Sequence, residues 1–227
     1  MNIRICLLLI ISCFFAIFTY AEDGADAELD EVQAIPSFLQ EITSPIALSG
    51  DSIFYNQAME KKTLENFDNR FIIVHFWASW CMDCHSELVA LNKLQKEFKK
   101  KALLVIVISE DFKSMSSIDE FFKKHNIEYL DIYFDKKQAI YKALMLNHLP
   151  MSYFVDFNGE VIASSVSGVP VDWEDESLKK FLDYKASQYQ LLPPEYKSVR
   201  DPYVPIENIE EKPIAPKKGE KSKIFIN

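Results

Sequence analysis

The chain has 227 residues, 48% of them hydrophobic and 26% charged, which is enough for one domain with a sizeable core and tails beside it. Its net charge of −9 argues against a nucleic-acid-binding surface.

Residues 1–21 have the pattern of an export signal. Arg4 supplies a basic start, residues 5–18 are apolar, and Thr19-Tyr20-Ala21 offers a cleavage site before Glu22-Asp23. Left uncleaved, the segment is a short membrane anchor. Ile10-Ile11-Ser12-Cys13 also has the look of a lipobox, with Cys13 as the acylated residue. In each case Cys6 and Cys13 stand outside redox chemistry, and the exported chain keeps Cys81 and Cys84 as its only pair. A single pair in an exported protein reads as a chemical tool before it reads as a staple. Residues 22–35 are an acidic linker with six carboxylates and no base. One domain is expected over 36–190. The Pro- and Lys-rich residues 191–227 form a flexible, solvated tail.

The domain begins with a hairpin expected between residues 35 and 67. The apolar run 71–77 then reads as a buried strand, and after a short turn comes a C-x-x-C at Cys81 and Cys84. Leu88, Leu91, Leu94 and Phe98 recur at helical spacing with lysines between them, so a helix follows at once. Strand, turn, two cysteines and helix suit redox-active thiols. Free amides at a helix N-terminus stabilise a thiolate, and two intervening residues let the second sulfur close a Cys81–Cys84 disulfide. Counting back from Leu88 puts Cys84 on the buried face, whereas Cys81 falls at the cap. Cys81 is therefore read as the attacking thiol and Cys84 as the resolving one. Half a zinc site is the competing reading, but no second C-x-x-C or paired His follows. A purely structural disulfide is another.

Further along, residues 102–108 read as a buried parallel strand. Ile118, Phe121 and Phe122 mark a helix that ends before Asn126. A short strand over 129–134 and a short helix over 137–146 come next. Strands over 152–156 and 161–165 are joined by an Asn158-Gly159 turn, a strong hairpin signal, and a last helix covers 175–189.

Trp77-Ala78-Ser79-Trp80-Cys81-x-x-Cys84-x-x-Glu87, followed in order by Leu149-Pro150-Met151-Ser152-Tyr153-Phe154-Val155-Asp156, resembles the TlpA, ResA and CcmG (DsbE) group of thioredoxin-like proteins. The chain departs from that pattern at Asp83 and Val89, where the family carries prolines. The resemblance implies an α/β thioredoxin-like fold, a central mixed sheet flanked by helices. The alternation of strands and helices is consistent with this. It also implies a cis Pro150 facing the cysteines, with backbone beside it that pairs with an extended substrate. The expected class is an extracytoplasmic, periplasmic thiol–disulfide oxidoreductase.

The catalytic set expected is Cys81, Cys84 and Glu87, the last as a proton relay for Cys84. Trp80, Leu149 and Pro150 are expected to contact substrate. His75 reads as a satisfied core residue, His148 and His85 as solvated, and Trp77 and Trp80 as aromatic cover over the loop. The function expected is reduction of disulfides in exported proteins, by resemblance in cytochrome c maturation or oxidase copper-site assembly. No cofactor is called for, and an inner-membrane donor would supply electrons to a monomer. Two other functions compete: a general disulfide oxidant, and a copper chaperone using Cys81, Cys84 and His148.

Overall fold

Strand β4 (Phe71–Trp77) is buried along its whole length and lies in the middle of an eight-stranded sheet, as an uninterrupted apolar run requires. The computed structural model describes residues 34–188, apart from 45, 47, 49–51, 68–69 and 112–114. The export segment, nearly all of the acidic linker and the C-terminal tail lie outside these residues. Among the described residues, no helix is long and apolar enough to cross a membrane.

The other strands are β1 (Leu39–Glu41), β2 (Phe54–Asn56), β3 (Lys61–Lys62), β5 (Leu103–Ser109), β6 (Ile132–Phe134), β7 (Met151–Val155) and β8 (Val161–Ser165). Their order is β1-β8-β7-β4-β5-β6-β2-β3. β4, β5 and β6 run parallel, and β7 lies antiparallel on the other side of β4. The helices are α1 (Met82–Glu97), α2 (Met115–Lys124), α3 (Ala139–Ala143) and α4 (Glu176–Ser187). This is the mixed, helix-flanked α/β sheet that the family resemblance implies.

Alternate residues of β4 divide between two cores. Phe71, Ile73 and Trp77 join Leu88, Leu91, Ile118, Phe122, Leu178 and Phe181, beneath α1, α2 and α4. Ile72, Val74 and Phe76 join Phe54, Leu64, Tyr133 and Ile140 on the opposite face.

The N-terminal segment differs from the single hairpin expected. β2 and β3 do form a hairpin, docked through β2 onto β6, but β1 pairs with β8 at the far edge. Strands of two or three residues carry too little alternation for their partners to be read from sequence. The helix expected over 137–146 is a 3-10 turn (Lys136–Gln138) followed by the five residues of α3. Lys137 and Gln138 adopt left-handed φ of 65° and 55°, which breaks it, and Met145 at 51° ends it. The Asn158-Gly159 turn joins β7 to β8, with Gly159 at φ 81°. In α4, Asp175 Oδ1 accepts the Leu178 amide as N-cap, and Tyr189 lies outside the described residues.

Candidate active site

The carboxyl ends of β4 and β5 hold the cysteine loop from beneath. Glu110 N donates to Trp77 O at 2.8 Å. The Asp111 carboxylate accepts from Ser79 N at 2.8 Å, Ser79 Oγ at 2.7 Å and Ser109 Oγ at 2.9 Å. These bonds pin residues 77–79 just before the cysteines. Ser79 and Asp111 were missed in the sequence. The available signal was an acidic residue just past the carboxyl end of a central strand, where folds of this kind place their sites.

Cys81 is the N-cap of α1, and its Sγ accepts the Cys84 amide at 3.2 Å. The two cysteines form a disulfide. Cys84 is fully buried and Cys81 retains 7% exposure. Cys81 is thus less open than a cap position suggests, yet it is the sulfur nearer to solvent. Trp80, 58% exposed, and Met82 flank it. α1 runs unbroken through Val89, where the family carries a proline.

The buried face of α1 carries Cys84, Glu87, Leu88, Leu91, Leu94 and Gln95. Glu87 is almost wholly enclosed. Its oxygens accept from Val171 N at 3.3 Å and from Trp173 Nε1 at 3.1 Å, and Oε2 lies 3.9 Å from His75 Nδ1. Burial pushes its carboxyl above the ordinary value, the two hydrogen bonds pull it back, and the charge of Asp83 pushes it up again. Trp173, out of reach of any local pattern, arrives on the loop before α4.

The Leu149–Pro150 peptide is cis. Register places it by the loop, because Met151 pairs with Phe76 at the end of β4. Leu149 and Pro150 are partly exposed there.

Four aromatic and histidine expectations need correction. Trp77 is no cover: it is fully buried against Phe121 and Phe122, because its place in β4 points it inward. His85 is not free in solvent: its Nε2 donates to Ser79 O at 2.9 Å and its ring lies against Phe121. His148 is half-buried, with Nδ1 2.6 Å from Asn147 Oδ1 and 3.0 Å from Ser167 Oγ. His75 is in the core but only half satisfied: Nδ1 lies 2.8 Å from Ser152 Oγ, while Nε2 is buried without a partner. Among the described residues, no three His, Cys, Asp or Glu side chains converge as metal ligands. His148 is not gathered with Cys81 and Cys84, which are joined as a disulfide, into such a group.

A thioredoxin-like sheet bearing a C-x-x-C disulfide at a helix N-terminus defines the protein as a thiol–disulfide oxidoreductase. Residues 33–164 match the AhpC/TSA family, and the chain belongs to that family. It is similar to the thiol-disulfide oxidoreductase ResA of Bacillus thuringiensis subsp. konkukian, 26% identical over 53% of this chain and 69% of the relative. It is similar also to the thioredoxin-like protein YneN of Bacillus subtilis, 30% identical over 45% of this chain and 59% of that one. A solved thiol:disulfide interchange protein of Chlorobium tepidum shares the fold, with a TM-score of 0.51 at 18% identity, over 64% of this chain and 99% of its own.

Proposed function

We propose that this protein reduces disulfides in exported partner proteins. The observation that carries this reading is the inequality of the two sulfurs: Cys81 caps α1 and keeps some exposure, and Cys84 is fully enclosed one turn on. In the dithiol form the Cys81 thiolate attacks a substrate disulfide, forming a mixed disulfide and releasing one substrate thiolate. Cys84 passes its proton to Glu87 and attacks the Cys81 sulfur. The second substrate thiolate leaves, and the protein is left with the Cys81–Cys84 disulfide. Two electrons and two protons from an inner-membrane donor restore the dithiol.

Trp80 and the Leu149-Pro150 segment offer an apolar and backbone surface for an extended substrate strand beside the sulfurs. Resemblance to ResA and to the CcmG (DsbE) group supports a periplasmic site of action, with the N-terminal segment cleaved or kept as an anchor. It also supports substrates in cytochrome c maturation or in oxidase copper-site assembly.

Trapping tests the roles. Cys84→Ser is expected to accumulate mixed disulfides that dithiothreitol releases, and Cys81→Ser to trap none. Equal trapping by both variants would remove the assignment of nucleophile and resolving thiol.

A further inference from the structure

One polar side chain beneath the disulfide has no part in the scheme above. His75, in β4, is fully buried and lies on the sheet face of Ile73 and Trp77, the face that packs under Cys84 and Leu88. Its ring meets Trp173 edge to face at 6.3 Å. Nδ1 is 2.8 Å from Ser152 Oγ on β7 and 3.9 Å from Glu87 Oε2 on α1, and Nε2 has no partner among the described residues. An apolar residue would fill this place without leaving a buried ring nitrogen unpaired.

The surroundings of Glu87 give the ring its use. On one side the carboxyl meets two fixed donors, Val171 N–H and Trp173 Nε1–H. Burial and the negative charge of Asp83 both favour its protonated form. A carboxyl meant to take a proton from Cys84 must be ionised when that proton arrives. The only titratable side chain facing it from β4 is His75, and from β7 the ring is backed by the Ser152 hydroxyl. A carboxylate beside Nδ1 favours the tautomer that keeps the proton there, with Ser152 Oγ accepting it. The Nδ1–H then points at Ser152 Oγ, with the positive end of its dipole 3.9 Å from the carboxylate oxygen. Burial, which lowers the ring's pKa to about 3, keeps the imidazole neutral, so it acts as an oriented dipole.

We propose that His75 is a positioning residue for Glu87: its Nδ1–H, bonded to Ser152 Oγ, sets a positive dipole end 3.9 Å from Glu87 Oε2 and so favours the ionised carboxyl, ready to receive the Cys84 proton. This rests on the proton-accepting role given to Glu87 above. The ring itself touches no reacting atom.

The test measures Glu87 directly as well as through the reaction. In full-length protein carrying ¹³C-labelled glutamate, the carboxyl midpoint is followed by NMR, with Glu87→Gln to assign the signal. Resolution of a mixed disulfide is timed across pH in the same variants. His75→Leu is expected to raise the Glu87 midpoint by about one pH unit and to slow resolution at neutral pH about tenfold. His75→Asn, which restores a donor, is expected to recover most of both. In a Glu87→Gln background, His75→Leu is expected to change the rate less than about twofold. Ser152→Ala is a milder variant that leaves the ring in place, and it is expected to shift the midpoint the same way by less. An unmoved midpoint in both folded His75→Leu and Ser152→Ala, or equal effects of Leu and Asn, would overturn the proposal. A midpoint that moves while the rate stays constant would retire Glu87 as the proton acceptor and leave its positioning by His75 standing.

Discussion

At the scale of single residues, environment separates groups that look alike. Two cysteines three apart differ because one caps a helix and the other faces the core. Glu87 and Glu110 are both buried carboxyls, but only Glu87 has fixed donors. Among the described residues both Glu110 oxygens lack a donor, and burial together with neighbouring Asp135 and Asp111 pushes its pKa up to about 8. A protonated Glu110 can donate to Asp135, which in turn accepts the Ala139 and Tyr141 amides of α3. Glu87→Gln is nearly isosteric; it removes proton transfer and replaces one of the two oxygens that accept from Val171 N and Trp173 Nε1 with an NH2 donor. It is expected to slow thiol exchange by about a hundredfold, the low end for general acid–base catalysis, with the fold intact. A stopped-flow rate unchanged from about pH 6 to 9 would make Glu87 a bystander. The position of Glu87 on the cysteine face was legible from helical spacing. Its partners were not, because Val171 and Trp173 lie 84 and 86 residues away.

At the scale of elements, α1 sets the redox character. Its N-terminus favours a thiolate at Cys81, and Asp83 in the first turn opposes that effect with no Lys or Arg between the cysteines. A less stabilised thiolate makes the dithiol a better electron donor. The potential is therefore expected nearer about −270 mV, as in thioredoxin, than about −120 mV, as in a strong periplasmic oxidant. Equilibration in dithiothreitol or glutathione buffers, read by thiol alkylation, measures it. Asp83→Pro is expected to move it toward oxidising values, and a wild-type value above about −150 mV would favour an oxidant. The other end of α1 is tied to the sheet. Buried Gln95 accepts Val105 N at 2.6 Å and donates to Leu103 O at 3.4 Å, beyond the three-residue reach of β6 along β5. Gln95→Leu strands that amide and is expected to cost about 1–3 kcal/mol in denaturant unfolding.

At the scale of the whole molecule, buried titratable groups shape stability against pH in two opposite ways. His75 has its folded pKa lowered from 6.5 to about 3, so the unfolded chain binds more protons in that window, and stability falls as pH drops through it. Glu110 has its pKa raised from 4.5 to about 8. The folded state then holds the extra proton, so its contribution is full below 4.5 and is lost as pH rises toward 8. Asp131 and Asp135, also raised by burial, act in the same direction as Glu110. Thermal melts across pH are expected to show His75→Asn flattening the acid limb and Glu110→Gln flattening the alkaline one. Parallel curves for wild type and Glu110→Gln would show that Glu110 titrates alike in the folded and unfolded chain.

The sequence by itself determined what depends on near neighbours along the chain. β4 and β8 follow the expected apolar runs, the Asn158-Gly159 turn falls where its dipeptide puts it, and α1 presents Cys84 and Glu87 on one face. Each comes from a period of two or 3.6 residues, or from local backbone preference, and these act over a few positions. Tertiary structure decided the rest. It parted β1 from the β2–β3 hairpin, because strands of two or three residues take whichever sheet edge is open. It turned Trp77 inward, and it brought His75, Glu87, Ser152 and Trp173 from four separate segments to one buried place. A group's protonation depends on the neighbours and the solvent around it, and for these residues the neighbours come from distant parts of the chain.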